Sequence, residues 1–262
     1  LYDKIGLYDT LRNIICGYET ADAITRCWQN LGGIEKNMLN FLENHDEQRI
    51  ASDFYAGDAR KAISAFIVAA CMNTNPVMIY FGQELGEAGM DHEGFSGRDG
   101  RTSIFDYWCV DSIRRWRNAD KFDGAELPDN AKRLQSIYQR ILLLCNEEQA
   151  IAQGSFYDLM YVNQDNWKFN RHKQYAFLRK HENEILLVLA NFDDLSVDVG
   201  ITIPAHAFDA LGLPELETCT ATDLLTGKEV QHVFFNASQV LPAAGDGIGG
   251  FVTAYYIAKR VV

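Results

Sequence analysis

The chain has no long apolar stretch. Its longest uninterrupted apolar run is eight residues, 65–72, far short of the ~18 that a membrane-spanning helix needs, so no membrane partner is expected. Basic charge is also scarce: 24 Lys and Arg against 36 Asp and Glu give a net charge of −12. A protein that grips a phosphate backbone needs a basic face, so nucleic acid is not an expected partner, and a neutral or cationic ligand suits the chain better. The six cysteines (Cys16, Cys27, Cys71, Cys109, Cys145 and Cys219) contain no CxxC pair, which argues against a zinc knuckle or a thioredoxin-type motif. Cys16, Cys27, Cys71 and Cys145 fall in helix-like apolar stretches and read as buried reduced thiols, a lean toward a reducing, cytoplasmic compartment. No signal peptide, repeat or low-complexity tract is apparent. Residue 1 is Leu rather than Met, so the natural N-terminus and any targeting signal are expected to lie outside this chain.

What is present is ordinary globular composition, 47% hydrophobic and 23% charged, which excludes a disordered chain. A length of 262 residues allows one large domain or two modest ones. Apolar spacing predicts helices over 6–16, 20–31 (with Thr20 as its N-cap), 58–72, 111–118 and 129–147. Two short apolar runs, 38–42 and 77–81, read as strands flanking the 58–72 helix. That order is a βαβ unit with parallel strands and a right-handed crossover. After about residue 154 the pattern changes to short strand-like segments at 175–178, 185–189, 197–203, 230–235 and 251–257, separated by turn signals. These predict an antiparallel β-sandwich. The expected domains are therefore 1–154, α/β, and 155–262, all-β.

Both predicted parallel strands run into polar segments at their C-terminal ends, where α/β folds concentrate chemistry. The first delivers Phe41-Leu42-Glu43-Asn44-His45-Asp46-Glu47-Gln48-Arg49. Taken by itself, an Asp beside a His can be a general base or a metal ligand, but is more often an ordinary strand-end cap. The second delivers Pro76-Val77-Met78-Ile79-Tyr80-Phe81-Gly82-Gln83-Glu84-Leu85-Gly86, a buried strand ending in Tyr, Gly and Glu, with glycines that permit unusual backbone angles. A long loop follows over 82–106. Its acids Asp91, Glu93 and Asp99 lack the order of an EF-hand, and its neighbouring aromatics Phe95, Phe105, Tyr107 and Trp108 suit burial beneath the β domain or stacking on a sugar face.

In this order and separation the two motifs resemble the alpha-amylase family, glycoside hydrolase family 13. The first matches that family's F-x-x-N-H-D at the end of the seventh barrel strand. The second matches P-x-I-Y-x-G-x-E-x-G at the eighth, except that Pro76 lies one residue further from Ile79. Residues 2–11 look like the family's approach to the sixth helix, and a β-sandwich follows the barrel. The resemblance implies the C-terminal part of a (β/α)8 TIM barrel plus an antiparallel β-sandwich, from a retaining enzyme acting on the α-1,4-glucosidic bonds of starch, glycogen or maltodextrins. It assigns Asp46 as the transition-state-stabilising carboxylate and places His45, Arg49, Tyr80 and Glu84 at the substrate, with Arg49 either steadying the Asp side chain or reaching a neighbouring sugar. The family's nucleophile and acid/base precede these strands and have no counterpart here; retaining chemistry needs both. The chain alone is thus expected to be inactive, and to pair with the N-terminal part of its parent or to self-associate through open strand edges. No cofactor is implied with certainty, although calcium is possible in the parent. The competing reading is a non-catalytic carbohydrate-binding or structural module. A metal hydrolase built on His45 and Asp46 is disfavoured, because no second ligand cluster has suitable spacing.

Overall fold

The computed structural model describes residues 1–91, 98–106, 110–197, 199–213, 216–235, 240–243 and 256–261. A wide helical turn, Lys4–Tyr8, opens the chain, with the Asp3 carboxylate accepting from the Leu7 N–H at 2.9 Å. It runs into α1 (Asp9–Ile15), and α2 (Ala23–Leu31) follows. Thr20 does not cap α2: its hydroxyl donates to Asp22, and the helix begins three residues later than predicted. The short strand β1 (Asn40–Phe41) is followed by α3 (Ile63–Cys71), and then by β2 (Val77–Met78). All nine residues of α3 are buried, as expected for a helix apolar around its whole circumference.

β1 and β2 pair in parallel, Asn40 beside Val77 and Phe41 beside Met78. The predicted βαβ unit is present. A third parallel rung lies on the other side of β1, where Tyr2 bridges Leu39. There the Asp3 N–H donates to the Leu39 carbonyl and the Leu39 N–H to the Leu1 carbonyl. The order is thus Tyr2, β1, β2, three neighbouring parallel segments of the kind that build a (β/α)8 barrel wall.

Next come α4 (Asp111–Arg117), α5 (Asp129–Glu147) and the single turn α6 (Gln149–Ala152). α5 begins and ends where its apolar stripe predicts, burying Leu134, Tyr138, Ile141 and Leu144. The remaining elements are β3 (Ser155–Asp158), β4 (Gln174–His181), β5 (Glu184–Asn191), β6 (Val199–Thr202), α7 (Ala205–Leu211), β7 (Leu216–Asp223), β8 (Glu229–Phe235), β9 (Val240–Ala243) and β10 (Tyr256–Val261). They form a six-stranded antiparallel sheet, β3-β4-β5-β10-β7-β8, and a two-stranded one, β6-β9. One hydrophobic core is continuous from Leu7 on the barrel side to Leu224 beside the sheet. The tight Glu182 turn between β4 and β5 takes a left-handed backbone, φ 47°. Among the described residues no helix is long and apolar enough to cross a membrane.

Candidate functional site

The site is built from the loop leaving β1. Directly after the strand the Asn44 side-chain oxygen accepts two backbone N–H groups, from Asp46 at 2.8 Å and Glu47 at 3.0 Å. An Asn side chain folding back on its own backbone in this way makes a tight turn. The turn pushes the next two side chains outward: His45 and Asp46 are 67% and 73% exposed, with His45 Nε2 3.4 Å from Asp46 Oδ1. The Asp46 carboxylate is thereby open to a ligand, with an imidazole beside it.

The loop is fastened on both flanks. On one side Glu47 meets Lys4 Nζ at 3.2 Å and Arg12 Nη1 at 3.3 Å, and accepts from the Tyr8 hydroxyl at 3.1 Å. Arg12 Nη2 also donates to the Gln48 side-chain oxygen at 2.9 Å. On the other side Arg101 donates from Nε to the Asp46 carbonyl at 2.9 Å, while its Nη1 meets Asp99 at 3.1 Å.

Beneath the loop lies a buried ion pair, Glu43 Oε2 to Arg49 Nη1 at 2.5 Å, with side chains 2% and 0% exposed. Glu43 Oε1 accepts the Ile50 N–H at 2.7 Å, and Arg49 Nη2 donates to the Phe81 carbonyl at the end of β2. Burial pushes the Glu43 carboxyl above its usual range, opposed by Arg49 and by the Ile50 N–H. The pair closes the five-residue span 44–48 that carries His45 and Asp46 and ties it to the segment leaving the second strand. Gly82, at φ +79°, makes room: a Cβ there would lie 3.5 Å from Arg49 Nη2 and 3.3 Å from the Glu87 Cβ.

Arg49 and Tyr80 therefore differ from the expectation that they touch substrate. Arg49 is fully buried. Tyr80 is buried too, its hydroxyl donating to the Thr102 carbonyl at 2.8 Å, and the Arg49 guanidinium lies over its ring at 4.6 Å. A charge so enclosed is stable only when it is paired inside the protein; Nη1 and Nη2 of Arg49 are spent on Glu43 and Phe81, while its buried Nε has no hydrogen-bond partner among the described residues. Both residues support the loop from behind. Glu84 goes elsewhere: it is half-buried in a cleft of about 660 Å³ between the end of β2 and α5, lined also by Ile79, Phe81, Gln139, Leu142 and Leu143. Burial raises its carboxyl above the usual value. His45 and Asp46 do not line that cleft.

Among the described residues no three His, Cys, Asp or Glu side chains converge as a metal set. Asp99 is committed to the Arg101 side chain and backbone N–H; Glu93 lies outside the described residues, as do Phe95, Tyr107 and Trp108. Phe105 is 68% exposed. Glu43, Glu47, Arg12 and Arg101 were not singled out by sequence. The usable signal was a Glu and an Arg six residues apart on either side of an Asn-His-Asp.

A model of the alpha-amylase catalytic domain matches residues 12–128. A comparison with curated proteins gives no match. Solved structures do match. A noncanonic maltogenic alpha-amylase, AmyB from Thermotoga neapolitana, shares 14% identity with TM-score 0.61, covering 100% of this chain and 50% of its own. AmyP in complex with maltose shares 16% with TM-score 0.61, covering 98% and 49%. The alpha-amylase of Geobacillus thermoleovorans complexed with acarbose shares 13% with TM-score 0.59, covering 97% and 46%. This chain spans about half the length of those proteins. At such identities the likeness speaks to fold, and the family model adds a match to the alpha-amylase catalytic domain over residues 12–128.

Proposed function

We propose that this chain supplies the Asp46 rim of a retaining α-glucan-active glycoside hydrolase. The observation that carries the reading is the outward Asn44 turn at the C-terminal end of a parallel strand, presenting His45 and Asp46 together to solvent. An exposed carboxylate fixed by its own backbone is suited to accept hydrogen bonds from vicinal sugar hydroxyls. Those bonds strengthen as the ring flattens toward an oxocarbenium ion. His45 donates to the same sugar, while Arg49 and Tyr80 act as positioning residues. The nucleophile and proton donor belong to other parts of the parent enzyme, so the isolated chain is inactive and is completed by an N-terminal partner or by self-association. The two antiparallel sheets are read as its β-sandwich domain. Maltose and acarbose in the matching structures support an α-glucan as the ligand.

The test is Asp46→Asn in the full-length parent. A group that acts on the transition state should lower kcat by about a thousandfold with a small change in KM. A rise in KM alone would make Asp46 a plain binding residue and refute the assigned role.

A further inference from the structure

A second feature lies in the segment between β3 and β4. Trp167 is 88% exposed, an unusual place for a residue whose large apolar surface normally ends up inside. The indole does not sit on a loose tail. The carbonyl of Lys168 accepts the Gly200 N–H at 3.0 Å, and Asn166 Nδ2 donates to Gly200 and to the fully buried Asn163. Further on, Phe169 is buried, and the His172 carbonyl accepts the Ala21 N–H at 3.0 Å. Trp167 is thus held out by a braced segment. One face of its ring carries the Lys168 ammonium, 4.9 Å from the centroid.

Beside the indole runs an open groove of about 520 Å³, within the size range of small-molecule sites. Its other lining includes Gln164, Asn166, Arg171, His172 and Asp193. None of these belongs to the Asp46 site. Asn166 is spent on Asn163, Gly200 and the Lys168 N–H, and Arg171 Nε donates to His172 Nε2 at 3.2 Å. One aromatic plate beside the Gln164 amide, the outer nitrogens of the Arg171 guanidinium and the Asp193 carboxylate matches a pyranose, which offers an apolar C–H face and a rim of hydroxyls that both donate and accept. The lining holds Lys168 and Arg171 against the carboxylate of Asp193, and Arg171 also faces Asp22 at 4.0 Å, so an anion is the competing ligand that the phosphate probe tests. Because the segment is braced before a ligand arrives, little ordering cost opposes binding.

We infer that the Trp167 groove is a saccharide-binding site separate from Asp46, taking a neutral hexopyranose chain stacked on the indole. That the chain is an α-glucan rests on the function proposed above; the groove chemistry does not.

The experiment is titration calorimetry on this chain with maltoheptaose, cellohexaose and inorganic phosphate as probes, using the wild type, Trp167→Ala and Trp167→Phe. At least one glucan should bind the wild type. Trp167→Ala should weaken it by about tenfold or more, and Trp167→Phe should retain part of it. The melting temperature should hold in Trp167→Ala, since so exposed a side chain contributes little to the core. Cellohexaose binding without maltoheptaose would support the groove and count against the α-glucan reading alone. Binding of phosphate only, no glucan binding, or glucan binding indifferent to Trp167 would overturn the inference.

Discussion

Replacing Arg49 with Met tests whether the buried ion pair closes the Asp46 loop. Met matches much of the side-chain volume but leaves the Glu43 carboxylate, 2% exposed, without its cation. Removing one partner of a buried pair costs about 3–5 kcal/mol. The Phe81 carbonyl also loses its donor, and the guanidinium no longer lies over the Tyr80 ring. These effects share one side chain and do not simply add, so the expected loss at pH 8 is about 3–5 kcal/mol. The pH dependence follows from the direction of the Glu43 shift. Its folded carboxyl is raised above the unfolded value near 4.5, and without Arg49 it rises further. As pH climbs through that window the unfolded state gives up its proton first, so the variant becomes less stable. The gap to wild type should be smaller at pH 5 than at pH 8, and adding Glu43→Gln should recover a large part of the loss. Urea unfolding followed by circular dichroism at both pH values is the assay. A loss under about 1 kcal/mol, the range of exposed pairs, a pH-independent gap, or a double variant no better than Arg49→Met would refute the reasoning.

Glu84→Gln should act in the opposite sense. Burial raises the Glu84 carboxyl above 4.5, so its charged form opposes folding above that pH; the variant should be the more stable at pH 7, with the advantage vanishing toward pH 4 in the same unfolding assay. Arg179→Met should cost at least about 3 kcal/mol, because the guanidinium donates to the Ala150, Met72, Ile151 and Gly154 carbonyls at 2.7–2.9 Å and each orphaned carbonyl costs about 1–3 kcal/mol. Scanning calorimetry would report it, and an unchanged melting temperature would contradict it.

Long periodic elements and the outward part of the site were legible in the sequence. Helix α5 follows from one apolar stripe, and Asn44-His45-Asp46 was singled out by its place at a strand end and its likeness to a family motif, not as a turn. The two strands were recognised but came out short, two residues each against five expected. Gln83 accounts for the end of β2: its side-chain oxygen takes the Tyr80 N–H at 3.2 Å and draws it off the ladder. The Tyr2 rung was missed because a single bridge has no periodicity. β3 has neither an alternating nor a continuous apolar pattern. Helix α7 has seven residues and falls between strand signals. The Glu43–Arg49 pair was invisible for another reason. Its partners flank an irregular loop, and nothing in their spacing says that both side chains turn inward. Arg49 beside an Asp invited a ligand role, and only burial separates that from support.

The antiparallel sheet has a bearing on Asp46 although it contributes nothing to the rim. Helix α3 follows the Asp46 loop in sequence and packs on β5, where the Ser64 hydroxyl donates to the Asn191 carbonyl. Its C-terminal end is held by Arg179 of β4, through the Met72 carbonyl at 2.7 Å. Burial lowers that guanidinium to about 10, so it remains a cation at neutral pH, facing carbonyls at the ends of α3 and α6, where the helix dipole is negative. On the other flank Asp158 of β3 accepts from Thr25 and Trp28 of α2, at 2.7 and 2.8 Å. A helix whose apolar residues are buried all round cannot shift without breaking these contacts. The sheet therefore fixes α3, and α3 fixes the outgoing end of the loop whose incoming end is closed by Glu43 and Arg49. Loss of Arg179 should consequently reach Asp46 through the position of α3, while leaving every group at the rim chemically intact.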